Sequence, residues 1–107
     1  MLQAKVIRVI DGDSIEVEIP KMTLRLDFID APEKRGVEKE FGIKSLDFLA
    51  SLLKKGDLID LDIKKEDTYN RFLTVIYKDD VNVNGEMLKE GHAEVYTPFN
   101  HNNGKKD

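Results

Sequence analysis

The spacing of apolar residues changes twice along this chain, and this change restricts the possible folds more than any other feature. Apolar and polar residues alternate over residues 14–19 and 22–28. Between residues 38 and 55 the apolar residues instead recur three and four positions apart, as they do on one face of a helix. Alternation returns over residues 59–64. The pattern therefore predicts short strands interrupted by one long helix.

Further strands and a second helix are predicted on either side of these segments. Residues 2–10 are rich in Val and Ile, and residues 72–77 form another β-rich run. The dipeptide Asp11-Gly12 predicts a tight turn after the first strand, since Gly tolerates the positive φ of hairpin turns. Residues 84–90 have the pattern of a short second helix.

Five predicted strands, with a helix inserted after the third and a short second helix, indicate a mainly β (α+β) fold. A small five-stranded Greek-key barrel of the oligonucleotide/oligosaccharide-binding type (the OB-fold) fits this order, and an open α+β sheet is the alternative. Closing the barrel removes the edge strands of an open sheet, which favours the barrel. We expect one domain over residues 1–97 and a polar, frayed tail over residues 98–107.

The composition excludes several kinds of site. The chain has no Cys, so it has no disulfide, thiolate metal site or cysteine nucleophile. It has no run of about 18 apolar residues, so no membrane span is predicted. The net charge of −4 counts against a protein that merely coats nucleic acid, but less against an enzyme that holds a divalent cation. Residues 1–5 lack the pattern of a secretory signal, so we expect a cytoplasmic location, although a mature secreted form would look the same.

Two carboxylates are predicted to approach each other after the first turn. If the two strands that flank Pro20-Lys21 pair as a hairpin, Asp13 falls opposite about residue 28, two positions from Asp30. Diagonal neighbours on paired strands lie roughly 7–8 Å apart, a gap that two carboxylates can close around one ion. The spacing therefore predicts that Asp13 and Asp30 share a metal ion.

The residue types around this pair favour a hard cation. Oxygen ligands with no His or Cys nearby are typical of Ca²⁺ or Mg²⁺ sites rather than Zn²⁺ sites. Pro32 biases Ala31 toward an extended backbone, so the Ala31 carbonyl is a candidate further ligand.

Three other charged residues suit phosphate chemistry. Glu33 follows the metal carboxylates in a predicted loop, where it could take a proton from a water that attacks phosphorus. Arg25 and Arg71 could bind the phosphate oxygens bidentately as negative charge builds up on them. Each of the site elements alone also fits a simpler interpretation: a hairpin turn at Asp13, a solvated strand face at Arg25, a loop that leads into a helix at residues 30–33 and an exposed loop at Arg71.

The order of these elements resembles that of the staphylococcal nuclease (thermonuclease) family over roughly residues 4 to 97. The resemblance rests on motifs whose combination is specific. They are Asp-Gly-Asp-Ser at 11–14, Arg-Leu-x-x-x-Asp-x-Pro-Glu at 25–33, Gly-Val-Glu-Lys at 36–39, Tyr-x-Arg-x-Leu at 69–73, and Val83-Asn84 running on to Gly91.

This resemblance implies a Ca²⁺-dependent endonuclease with a five-stranded OB-fold barrel. Members of that family cleave DNA and RNA and leave 3′-phosphates. We therefore expect a monomer that acts on single-stranded or flexible DNA and RNA. The alternative is a non-catalytic OB-fold module that binds nucleic acid or a protein partner. The residues implied are Asp13, Asp30 and Ala31 as Ca²⁺ ligands, Glu33 as general base, Arg25 and Arg71 as phosphate clamps, and Tyr69 near a terminal phosphate.

Overall fold

A computed structural model describes residues 1–18 and 21–97, and the predicted frayed tail at 98–107 lies outside the described residues. A short 3₁₀ turn at Gly36–Glu38 precedes the first helix. The strands are β1 (Leu2–Asp11), β2 (Ser14–Glu18), β3 (Met22–Leu26), β4 (Ile29–Asp30), β5 (Leu58–Glu66), β6 (Phe72–Lys78), β7 (Val81–Asn82) and β8 (Glu94–Val95), and the helices are α1 (Lys39–Leu52) and α2 (Val83–Lys89).

The five long strands close into a barrel, as predicted. Antiparallel pairs run in the order β3-β2-β1-β5-β6, and a parallel pairing of β3 with β6 closes the ring. The closing pairs include Arg25 with Leu73. The mixed barrel with two helices confirms the predicted OB-like fold. The short strands β4 and β8 pair with each other outside the barrel.

The barrel interior holds two apolar residues that the alternation in β2 predicts to face inward. Ile15 and Val17 of β2 are completely buried, which confirms the alternation in this strand. Leu49 of helix α1 and Leu53, which directly follows the helix, cover the core. The remaining buried apolar residues of the core are Ala4, Val6, Leu24, Leu26, Ile29, Ile59, Leu61, Ile76, Val83 and Met87.

Helix α1 is shorter than predicted, and its first turns pack differently. It ends at Leu52 rather than at residue 55. Its buried face begins with the small residues Gly42 and Ser45, whereas the large apolar residue Phe41 in the same turn is 64% exposed. A Cβ on Gly42 would overlap the Glu33 carbonyl, so the close approach of the residue 33 backbone is the reason for a small residue here. In the described part of the chain, neither helix combines the length and apolar character that crossing a membrane requires.

The turn after β1 occurs as predicted, but the reason given for its glycine is wrong. Asp11 pairs with Ser14, which leaves a two-residue turn. Gly12 does not adopt a positive φ. A Cβ at this position would lie 2.8 Å from the Cβ of both Ser45 and Ala31, so Gly12 is needed because helix α1 comes so close.

The predicted register of the β2–β3 hairpin is also wrong, by about two residues. Ser14 pairs with Arg25, and the Leu26 amide donates to the Asp13 carbonyl at 2.7 Å. Asp13 therefore lies opposite Leu26 rather than residue 28. Strand β3 ends earlier than predicted because the chain turns at Phe28, which has φ of 70° and an exposed side chain.

Candidate active site

Arg25 lies at the centre of the candidate site and is almost completely buried. Its side chain is 11% exposed. Nη1 donates hydrogen bonds to the carbonyl oxygens of Leu26, at 2.7 Å, and Ile29, at 2.8 Å. The two carbonyls lie on either side of the turn at residues 27–28, at the end of β3 and the start of β4, so the strand ends beside the turn hold the guanidinium. The alternative of a solvated strand face is therefore excluded for Arg25.

The second terminal nitrogen of Arg25 brings the two predicted metal carboxylates together. Nη2 lies 3.5 Å from Oδ2 of Asp13 and 3.5 Å from Oδ1 of Asp30. Asp13 comes from the turn between β1 and β2, and Asp30 ends β4. The two carboxylates meet even though the predicted register is wrong. Strand β3 ends early, and the turn at residues 27–28 carries Asp30 back toward Asp13.

Asp13 is buried, and the groups around it only partly compensate its negative charge. Its Oδ2 accepts a hydrogen bond from the Ala31 amide at 2.8 Å. Burial, helped by the nearby Asp11 carboxylate, raises the pKa of Asp13 to about 7, although the Arg25 guanidinium and the Ala31 amide act to lower it. The environment therefore favours an additional positive charge beside this carboxylate.

The pKa of Asp11 is shifted in the opposite direction from that of Asp13. Burial acts to raise its pKa, but hydrogen bonds from the Ser14 hydroxyl, at 2.6 Å, and the Asp13 amide, at 3.2 Å, hold the pKa below its usual value. The positive charge of Lys34 acts in the same direction. Asp11 therefore stays charged and orders the turn that carries Asp13.

The donor set fits a hard divalent cation. Asp13 and Asp30 supply carboxylate oxygens that converge, and Ala31 follows Asp30 directly in the chain. Within residues 1–18 and 21–97 there is no group of three His, Cys, Asp or Glu side chains placed to hold a metal. A Ca²⁺ ion takes six to eight oxygen ligands, so backbone, water and phosphate oxygens would complete the shell.

Glu33 lies in the loop that follows these carboxylates. Its amide donates to Oε1 of Glu38 at 2.9 Å, and its backbone packs against Gly42 of helix α1. The side chain is exposed. The Glu33 carboxylate forms no hydrogen bond or ion pair with any residue that the structure describes. The backbone is thus held, while the carboxylate is left accessible to water.

Arg71 is positioned by a local loop between β5 and β6. Both its Nε, at 2.9 Å, and its Nη2, at 2.8 Å, contact Oδ2 of Asp67. The other oxygen of Asp67 accepts hydrogen bonds from the amides of Tyr69 and Arg71. The guanidinium carbon of Arg71 lies 5.3 Å from the centre of the Tyr69 ring, within the range of a cation–π contact. Sequence reasoning missed Asp67, although its spacing of four residues from Arg71 is a possible signal.

A cleft of about 440 Å³ joins these two regions. Arg25 and Arg71 both line it, as does the predicted substrate-binding residue Tyr69. Two further aromatic residues line the same cleft, Phe28 and Tyr96. The predicted metal and base residues Asp13, Asp30 and Glu33 are not part of the cleft lining that the structure describes. Arg25 therefore connects the carboxylate group to the cleft.

Comparison with known proteins places this chain in a family. The family model described as "Staphylococcal nuclease homologue" matches residues 23–107, which is most of the chain. The chain belongs to the staphylococcal nuclease family. The matched range contains six of the seven predicted site residues of this nuclease-family chain, namely Arg25, Asp30, Ala31, Glu33, Tyr69 and Arg71.

Two of three curated relatives of this chain carry endonuclease names. An "Uncharacterized endonuclease" of Escherichia coli O157:H7 is 36% identical over 102 residues, covering 92% of this chain and 64% of that protein. "Endonuclease YhcR" of Bacillus subtilis is 37% identical over 103 residues, covering 83% of this chain but 8% of that protein. "Protein ParB" of Escherichia coli is 33% identical over 106 residues, covering 89% of this chain and 58% of that protein. The chain thus spans less than two thirds of these relatives' length.

Proposed function

We propose that this chain is a Ca²⁺-dependent nuclease that hydrolyses phosphodiester bonds of DNA and RNA and leaves 3′-phosphate ends. It acts as a monomer on single-stranded or flexible substrates. The observation that carries the proposal is the convergence of Asp13 and Asp30 on one nitrogen of Arg25, a residue that also lines the cleft. Endonuclease names among relatives that share the family support the same reaction class.

The two arginines bind the phosphate in this proposal. The contacts of Arg25 Nη2 with Asp13 and Asp30 are 3.5 Å long, whereas strong charge-assisted N–H···O bonds are about 2.7–2.9 Å long. Little interaction energy with the two carboxylates is therefore lost when this nitrogen turns toward a phosphate oxygen. Arg71, held by Asp67, faces the same cleft and supplies a second guanidinium. Together they neutralise charge that builds up on the phosphate oxygens.

Glu33 moves the proton. Its accessible carboxylate accepts the proton of the attacking water on one oxygen, while the contact of its backbone with helix α1 limits movement of the loop. Asp13 and Asp30, with the Ala31 carbonyl, would hold Ca²⁺. When bound, this ion polarises a phosphate oxygen as a Lewis acid.

A digestion assay with a matched control tests this function. We expect the parent to cleave single-stranded DNA and RNA with added Ca²⁺, and to stop when the ion is chelated. End-group analysis should find 3′-phosphates. Glu33→Gln should lower kcat by about 10²- to 10⁴-fold, as expected when a general base is removed. Glu40→Gln is the matched control, because Glu40 is an exposed glutamate of helix α1 that does not line the cleft.

Three results would count against the proposal. Undiminished cleavage by Glu33→Gln would remove the general-base role. Cleavage that persists in chelator would remove the role of Ca²⁺. Products with 5′-phosphates would mean that the other P–O bond breaks.

A non-catalytic module is the second candidate. The observation in its favour is that the groups able to bind a nucleic acid share one cleft, whereas Glu33 does not belong to the cleft lining in the described part of the chain. Tight oligonucleotide binding by the parent, with no cleavage at any Ca²⁺ concentration, would support it.

A further inference from the structure

Phe28 combines two features that folding alone does not explain. Its φ of 70° lies in the left-handed region, which Gly adopts easily but which is rare for a bulky residue and costs free energy. Its side chain is nonetheless 57% exposed, so the core gains little from the ring. An exposed aromatic residue on a strained backbone points to a role outside the core.

The surrounding hydrogen bonds hold the residue in this conformation. Its amide is bonded to the Asp27 carboxylate at 2.9 Å, and its carbonyl accepts from the Tyr96 amide at 2.9 Å. The preceding residue is held as well, because the Asp27 amide donates to the Thr74 carbonyl at 2.9 Å and the Asp27 carbonyl accepts from Asn84 at 2.9 Å. Bonds on both sides of the turn therefore fix the backbone from which the Phe28 side chain projects.

The ring lies in the cleft with two other aromatic residues and both arginines. Tyr69, which is 75% exposed, and Tyr96, which is 40% exposed, line the same walls as Phe28. Arg25 and Arg71 line the same cleft, and the Arg71 guanidinium lies over the Tyr69 ring. Aromatic faces beside guanidinium groups suit a ligand with alternating planar rings and phosphates, which is single-stranded nucleic acid.

We propose that Phe28 is a base-stacking residue that selects unpaired nucleotides. This inference rests on the proposed function and deepens it. An unpaired base next to the phosphate held by Arg25 stacks on the Phe28 ring, whereas a base in a duplex is already stacked on its neighbours. Stacking accepts any base, because every base has a π-face, so the residue selects strandedness rather than sequence. The cleft lining also includes Lys65 and the acidic residues Asp27, Glu66 and Asp67, so the ligand is inferred from the aromatic rings beside the guanidiniums rather than from net charge.

The test compares three substitutions at Phe28 on substrates with and without bases. Phe28→Ala and Phe28→Leu remove the aromatic ring, and both keep a Cβ, so the backbone conformation carries the same strain. Phe28→Trp keeps an aromatic face. Leu58→Ala is the control, because Leu58 is 58% exposed on β5 and does not line the cleft. The substrates are a single-stranded oligonucleotide, the same oligonucleotide with abasic residues around the cleaved bond, and its duplex.

We expect Phe28→Ala and Phe28→Leu to weaken binding of the base-containing single strand by roughly 5- to 150-fold, as loss of one base–aromatic stack predicts. The loss should fall on KM rather than kcat, because stacking is equal in ground state and transition state. The abasic strand and the duplex should be affected little. Phe28→Trp and Leu58→Ala should behave like the parent.

An equal loss on base-containing and abasic strands would overturn the inference, as would the absence of any loss. Thermal melting of each variant separates a folding defect from a binding defect. Binding measured by fluorescence anisotropy keeps this inference distinct from the proposed function. A parent that binds but does not cleave fails the nuclease proposal, while weaker binding by Phe28→Ala would still support stacking. A parent that binds no oligonucleotide overturns both.

Discussion

Arg25 and Arg71 reach the same cleft from two regions that are built differently. Arg25 is buried, and its contacts are the turn after β3 and carboxylates from two other segments. Arg71 has a side chain that is 30% exposed, and its ion pair is with Asp67, four residues away. The first arginine is therefore positioned by long-range packing and the second by a short loop. A change that disturbs the barrel should affect the first region much more than the second.

The largest expected contrast is between removal of the two arginines. Arg25→Ala removes the positive charge that lies beside the Asp13 and Asp30 carboxylates, so we expect a loss of about 3–5 kcal/mol in the free energy of unfolding. Arg71→Ala breaks a partly exposed pair and should cost about 1 kcal/mol or less. Urea denaturation of the parent and of both variants measures these losses. Equal losses for the two variants would contradict the comparison.

A smaller effect is expected from Gly42→Ala. Helix propensity alone predicts stabilisation by about 1 kcal/mol. A Cβ at Gly42, however, would overlap the Glu33 carbonyl and lie 2.5 Å from the Lys34 Cα, so we expect a loss of about 1–3 kcal/mol instead. Cleavage should fall too, because the backbone of Glu33 must move.

Gly85→Ala is the matched control for this steric argument. A Cβ there would meet its nearest neighbour, in Asn82, at 3.6 Å, which is an ordinary contact. The control should therefore be neutral or stabilising by up to about 1 kcal/mol. If Gly42→Ala stabilises the protein to the same extent, the close contact between helix α1 and the Glu33 loop is not a constraint.

The last prediction concerns the free energy of unfolding of Asp67→Asn, whose change should be small and should depend on pH. Partial burial acts to raise the pKa of Asp67, but hydrogen bonds from the amides of Arg71 and Tyr69 and from the Arg71 side chain hold it below 3.8. Because the folded pKa is depressed, this carboxylate stabilises the fold above pH 3.8, and the stabilisation is lost as pH falls through the folded pKa.

The difference between parent and Asp67→Asn should therefore be about 1 kcal/mol near neutral pH and vanish in acid. Unfolding curves measured across this pH range provide the check. A difference that stays constant or grows toward low pH would show that the carboxylate does not stabilise the 67–71 loop in its charged form.

Prediction from the sequence succeeded where contacts are local or periodic. The alternation in β2 and the spacing in helix α1 identified Ile15, Val17 and Leu49 as buried, because a side-chain period directly sets which face an element buries. The prediction of a barrel was also correct. The 67–71 loop, whose stabilising contacts span four residues, could have been predicted in more detail from its sequence alone.

Prediction failed where two segments distant in sequence come into contact. The hairpin register was wrong because the turn at Phe28 ends β3 early, and alternation alone does not show where a strand stops. The roles of Gly12 and Gly42 were missed because each depends on another segment passing within a few ångströms. Neither the burial of Arg25 nor the exposure of Glu33 is encoded in residue type.

By itself, the sequence determined the order of strands and helices and the kinds of charged groups that the chain carries, since both follow from residue identity and short-range spacing. Tertiary structure decided that Asp13 and Asp30 meet at one nitrogen of Arg25 and that Phe28 faces the cleft. The physical reason is that the position of a side chain across a barrel depends on where the backbone reverses direction. Those reversals are set by packing between distant segments, and the local spacing of apolar residues does not show where they occur.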